Sequence, residues 1–300
     1  MRKFICTVLA ALLSLWGVDR LGGLVMWWVN RNSNDVIAPK LQYIEKGIHE
    51  EVVLIGASRC HHHYVPQIIT DTLGMTVYNA GVGGADNIFS HYVVLCHVLA
   101  RHIPKVICLE VMLTDYNVQH APFSALKFFA PLFGINEEAD SVFQLAGLYW
   151  KYQFSHLYRY NAKASSNLWG LVLNRKKNGD HGYIPLPPPP LFPGKAELEM
   201  GHTESDSLKI EYLSRFIRKC QQYNIQLILT VSPKYTRVKQ ERYEILKQLA
   251  QIHNIPFLDY HTTGLFLDHP EYFKDTMHLW DDGARRFSAI FAADLSAIIN

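Results

Sequence analysis

The chain has 300 residues, 49% of them apolar, enough to bury one large α/β core or two small ones. Twenty-nine basic against 27 acidic residues leave a net charge of +2, so the charge balance gives no footprint for a nucleic-acid partner. The five cysteines, Cys6, Cys60, Cys96, Cys108 and Cys220, are scattered without a C-x-x-C pair and several sit in apolar runs, which argues against a disulfide framework and against zinc.

Arg2-Lys3 open the chain and precede an apolar run from Phe4 to Val18; a second run, Leu21 to Val29, follows Asp19-Arg20. Together they reach the roughly 20 residues that span a bilayer. A charge near the bilayer centre costs about 3 kcal/mol, so Asp19-Arg20 either pairs internally or marks the edge of a shorter span. Residues 1–30 are expected to be a membrane anchor, with the basic start held in the cytoplasm and the body exported. The alternative is a secretory signal cleaved to release the protein, although no A-x-A site or lipoprotein cysteine follows. A third reading, a buried first helix of a soluble protein, fits the Trp27-Trp28 doublet less well than an interfacial belt does.

Residues 31–50, beginning Arg31-Asn-Ser-Asn-Asp35, read as a polar linker. Five short apolar runs then read as buried strands: Glu51 to Ile55, Met75 to Tyr78, Lys105 to Val111, Ile225 to Val231 and Pro256 to Asp259. Helical patterns occupy about Asn87 to Arg101, Ser207 to Tyr223, Arg237 to His253 and Asp282 to Ile299. That alternation predicts an α/β, doubly wound, flavodoxin-like fold with a five-stranded parallel sheet over residues 51–300. Residues 117–204, between the third and fourth strands, are too long for an ordinary connection and read as an insertion forming a cap. The insertion is rich in aromatics, from Phe123 to Phe133 and from Leu148 to Tyr160. It ends in Ile184-Pro-Leu-Pro-Pro-Pro-Pro-Leu-Phe-Pro193, which must be extended polyproline II and reads as a stiff surface loop.

Ligands of such folds sit beyond the carboxyl ends of the strands. There, Gly56-Ala57-Ser58-Arg59 follows the first strand, and a serine at that turn is either a helix N-cap or a nucleophile at the mouth of the sheet. Asp275-Thr-Met-His278 precedes the last helix; a carboxylate three residues before an imidazole can accept from one ring nitrogen while the other takes a proton from a serine hydroxyl.

The serine after strand one, Asn79-Ala-Gly-Val-Gly-Gly84 after strand two, and Asp-x-x-His before the last helix together resemble the SGNH (GDSL-like) hydrolases. The resemblance covers about residues 51–300 without the insertion. It implies Ser58 as nucleophile, His278 as base, Asp275 as orienter, and the amides of Ser58 and Gly84 as oxyanion donors, with Gly81 and Gly83 shaping the turn. In the third block, Leu109-Glu-Val-Met-Leu-Thr-Asp115, Thr114 stands where the family has an asparagine donor and Met112 where it has a glycine. The departure resembles membrane-anchored relatives that transfer acyl groups in the cell envelope. The implied activity is that of a serine esterase or O-acyltransferase acting on small-molecule or glycan esters, with no cofactor. An SGNH-fold envelope protein with impaired catalysis, used for binding or assembly, is the alternative.

Neighbouring residues are ambiguous. Arg59 either steadies an anionic substrate or ties down its loop, and Asn87 is a second candidate substrate contact. His61-His62-His63 point in different directions around a helix, a poor metal cage, although one of them is placed to line the pocket. Asp115 reads as loop-fixing, and Glu110 lies inside the third strand.

Overall fold

A computed structural model of the chain describes residues 1–172, 181–192, 194–199 and 204–299. Within the insertion, 173–180 and 200–203 lie outside the described residues, as does Pro193 at the end of the proline-rich run.

The chain begins with α1 (Arg2–Asn32) and α2 (Ala38–Lys46). It continues through β1 (Val52–Ile55), α3 (Ser58–His63), α4 (Pro66–Leu73), β2 (Val77–Asn79), α5 (Ile88–Leu99) and β3 (Val106–Glu110). Then come α6 (Glu137–Leu145), α7 (Tyr149–Phe154), α8 (His156–Tyr160) and α9 (Ala164–Val172). The last stretch is α10 (Ser207–Gln222), β4 (Gln226–Val231), α11 (Glu244–His253), β5 (Phe257–Asp259) and α12 (Asp281–Ile299). Residues 31–50 are not the linker expected, because Ala38–Lys46 is helical: Leu41 and Ile44, at helical spacing, are buried.

Contacts divide the chain into two units, Met1–Tyr43 with Leu126–Lys177, and Ile44–Ala125 with Asn178–Asn300. The stretch expected to form one cap, 117–204, is thus shared between them. Its stem belongs to the second unit, where Asn117 pairs antiparallel with Ser205 and the Val118 amide donates to the Glu204 carbonyl. Its middle groups with the N-terminal helix.

In the second unit all five strands are parallel, in the order β2-β1-β3-β4-β5, the α/β doubly wound arrangement that the alternation predicts. β1 and β3 are buried along their whole length because helices cover both faces, which is why they read as unbroken apolar runs. The helix α12 lays Phe287, Phe291 and Leu295 into the core around Leu54, Cys108 and Ile228. The short helices α3 and α4 were not resolved by periodicity; α3 is a single six-residue stretch directly off β1.

The chain leaves β1 through Gly56, which lies so close to its neighbours that an added Cβ would stand 2.7 Å from Cys60 Cβ and 2.9 Å from Glu110 Cβ. Gly56→Ala is therefore expected to lower the unfolding free energy by about 1–3 kcal/mol through overpacking, measured by chemical denaturation. A change within error would show that the β1 turn has room to relax.

Candidate active site

Three chain segments, together with the loop that carries His278, converge at the carboxyl edge of the sheet. The first is α3, which starts directly after β1, so Ser58 is its first residue. Ala57 occupies the cap position, and the Ser58 hydroxyl does not cap the helix. It is instead hydrogen-bonded to His278 Nε2 at 2.9 Å, across 220 positions of sequence. The other ring nitrogen, Nδ1, lies 3.1 Å from both carboxylate oxygens of Asp275. A carboxylate accepts only, so Nδ1 carries the proton and Nε2 is left to accept from the serine.

The loop that carries His278 is fixed by its own backbone and by its neighbours. Asp275 Oδ1 accepts from the amides of Met277 at 2.7 Å and His278 at 2.9 Å. Burial pushes the Asp275 carboxyl up, but the His278 ring and these two amides outweigh it and hold the group below the ordinary carboxylate range. Phe273 and Leu279, which pair antiparallel across the loop, are fully buried and pin its two ends in the core. The Tyr235 amide, after β4, donates to the Thr276 carbonyl.

The second segment is the turn after β2. Asn79 ends the strand fully buried, with Nδ2 donating to the carbonyls of Cys60 at 2.6 Å and Tyr64 at 2.9 Å, and Oδ1 accepting from the Gly81 amide at 3.0 Å. The turn is thereby tied to the helix that carries Ser58, and the Val82 amide closes onto the Gly56 carbonyl. Gly84 sits at the exposed tip with φ of +81°, a conformation that favours glycine.

The third is the loop after β3. Lys209, on α10, is fully buried and donates from Nζ to the carbonyls of Thr114 at 2.7 Å and Asn117 at 2.8 Å and to Gln119 Oε1 at 2.7 Å. Burial lowers its pKa, against the pull of Asp115 and Asp206. The carboxylate of Asp115 accepts from the Met112 amide at 2.7 Å and faces His91 at 3.1 Å, a loop-fixing placement. Thr114 Oγ1 is buried and has no hydrogen-bond partner among the described residues.

Arg59 and Asn87, expected as substrate contacts, are placed otherwise. Arg59 is 1% exposed; its guanidinium pairs with Glu110 at 3.1 Å and donates to the carbonyls of Val111 and Ser232. It neutralises a carboxylate that the sheet buries. Asn87 is the N-cap of α5, accepting from the Ser90 amide at 3.1 Å and donating to the Pro122 carbonyl at 2.6 Å.

The three adjacent histidines diverge as a helix requires. His61 Nδ1 meets the Gly81 carbonyl at 2.8 Å, and His62 Nδ1 meets the Ile184 carbonyl at 2.7 Å, with the His62 ring edge-on to His278. His63 points inward. Its Nε2 accepts the Leu279 amide at 3.0 Å, which fixes the proton on Nδ1, and Nδ1 donates to Ser232 Oγ at 2.8 Å. Burial, then the neighbouring His278, Arg59 and His62, hold His63 well below the usual histidine range, so the ring stays neutral. Among the described residues no group of three or more His, Cys, Asp or Glu side chains is arranged to hold a metal ion.

No known family profile matches the chain, and no curated protein matches it. Solved structures similar to it include one described as an acylhydrolase from Bacteroides fragilis, at 13% identity, covering 82% of this chain and 87% of that one, with a TM-score of 0.37. An acetyl xylan esterase is 14% identical, covering 83% of this chain and all of that one, with a TM-score of 0.39. A GDSL-like lipase from Bacteroides thetaiotaomicron is 12% identical, covering 84% and 89%, also with a TM-score of 0.39. These likenesses are too distant to carry any inference about the reaction of this chain.

Because His63 is neutral when folded but titrates from the ordinary value of 6.5 when unfolded, the unfolded chain takes up the extra proton in acid. Stability is therefore full above pH 6.5 and falls as the pH drops below it, with one proton taken up on unfolding by this one group. His97, pushed down to about 4 by burial, adds a second such proton. Chemical denaturation between neutral pH and pH 5 is expected to show this loss, with the slope reduced by one proton in His63→Gln. An unchanged slope would mean that His63 is protonated in the native protein.

Proposed function

We propose that the chain is a serine-dependent ester hydrolase or O-acyltransferase of the cell envelope. The observation that carries this is the continuous line of hydrogen bonds from Asp275 through His278 to Ser58 Oγ at the carboxyl edge of a parallel sheet. The ring takes the Ser58 proton on Nε2 as Oγ attacks an ester carbonyl, and the ionised Asp275 stabilises the imidazolium through Nδ1–H. Collapse of the tetrahedral intermediate expels the alcohol, which receives the proton from Nε2. The acyl-serine then passes to water or to a sugar hydroxyl activated by the same nitrogen.

The oxyanion donors in this reading are the amides of Ser58 and Gly84, with the Thr114 hydroxyl in place of a side-chain amide. The unpaired, buried Thr114 Oγ1 supports a hydroxyl with a bond still to make. The same substitution favours the second reading, a binding or assembly protein with impaired turnover. A small-molecule or glycan ester is the substrate class in the first reading. The helix α1, the one described helix long and apolar enough to cross a membrane, is proposed as its anchor, with the sheet-bearing unit exported; cleavage and secretion is the alternative.

A panel of acetyl and longer-chain esters, assayed with and without a glycan acceptor, tests this. Ser58→Ala is expected to lower turnover by about 10⁴-fold or more, and Asp275→Asn by about 10⁴-fold, with folding intact. Full activity in purified Ser58→Ala would overturn the mechanism. Thr114→Val is expected to lower kcat by roughly 10²-fold if the hydroxyl holds the oxyanion; an unchanged kcat would leave the two amides as the donors.

A further inference from the structure

We propose that the middle of the insertion, α7 and α8, is a second membrane-seated element that enters the headgroup boundary beside α1. This rests on the reading of α1 as the anchor.

Its starting point is the charged pair within that helix. Asp19 accepts from Ser155 Oγ at 2.6 Å and from the amides of His156 at 2.8 Å and Leu157 at 3.3 Å, which caps the start of α8. Arg20 donates to the carbonyls of Gln153 and Phe154 at the end of α7. Both charges are thus spent on the ends of two insertion helices. The crossing is close: a Cβ on Gly23 would overlap the His156 Cβ, and one on Gly22 would stand 2.7 Å from Leu157.

That crossing fixes a depth. At 1.5 Å per residue, Phe4 to Asp19 covers about 22 Å of a hydrocarbon core about 30 Å thick. If Phe4 enters at one boundary, Asp19 lies about 8 Å inside the other, a depth at which interfacial helices rest. The helices that cap Asp19 and Arg20 must then lie at that depth too. Their outer surfaces suit it: on α7 Trp150 is 64% exposed and Phe154, stacked on it, is 72% exposed, and on α8 Leu157 and Tyr158 are 37% and 40% exposed. Exposed Trp and Phe on helices joined to a membrane span are the composition of an interfacial belt. Lys151, exposed on α7, is suited to anionic headgroups.

The test uses the full chain reconstituted in phosphatidylcholine vesicles. Cys6→Ala removes the one exposed cysteine, the other four being buried. Single spin labels are then placed by Leu13→Cys, Trp150→Cys, Phe154→Cys and Ile252→Cys, all at exposed sites. The expected ratio of oxygen to nickel accessibility is highest at 13, intermediate at 150 and 154, and lowest at 252. Labels at 150 and 154 that match 252, with 13 still deep, would overturn the proposal and leave the anchor standing. Labels at 150 and 154 shielded from both relaxants would place a protein there, not lipid, and overturn it as well. A label at 13 that matches 252 would remove the anchor and the proposal together.

Discussion

A carboxylate buried at the end of the central strand has to be paired, and the pairing of Glu110 organises the carboxyl edge of the sheet. Removing one partner from such a site typically costs 3–5 kcal/mol, because an uncompensated charge stays behind. Glu110 is satisfied by Arg59 and Tyr64 from α3 and the residue after it, and by the amide and hydroxyl of Ser232 after β4. Burial pushes the carboxyl up, while Arg59, Tyr64 and Ser232 pull against it. The segments after β1 and β4 are thus held to one group at the end of β3. Ser232 extends the chain to His63, and His63 holds the amide of Leu279, the residue after His278. A buried polar network thus links Glu110 to the loop that sets His278 against Ser58.

Much of this was legible in the sequence, and the reason is periodicity. The five strands are short apolar runs bounded by polar residues, and each lies within two residues of its expected span. Ser58, Asp275 and His278 stand out in the sequence by residue type, one after the first strand and two before the last helix, and the structure brings the three within hydrogen-bonding distance. The supporting residues were not visible. Lys209 sits in an amphipathic pattern where a lysine reads as solvent-facing, and only tertiary structure shows three acceptors around it. Arg59 beside Ser58 reads as a candidate substrate contact, since nothing local reveals that Glu110, 51 residues on, requires a cation. His63 was one of three adjacent histidines, and only the register of α3 decides which of them turns inward. Ser232 was not singled out at all; a serine directly after a buried strand, on the same sheet edge as Ser58, was the available signal.

Length alone makes 117–204 read as one cap, whereas contacts group 126–172 with α1 and leave the Asn117–Ser205 stem in the other unit. Sequence periodicity carries no information about which distant helix a segment packs on. The Asp19-Arg20 pair did carry a hint: a charged pair amid two apolar runs has to be satisfied internally or sit at an edge, and here α7 and α8 satisfy it.

The central claim is that Ser58 Oγ is a nucleophile made reactive by His278. Peptide mapping after exposure to a fluorophosphonate tests it without knowledge of the substrate. The account predicts a single adduct on Ser58, formed far more slowly in folded His278→Ala. No adduct on Ser58, or one formed at the same rate without the imidazole, would contradict it.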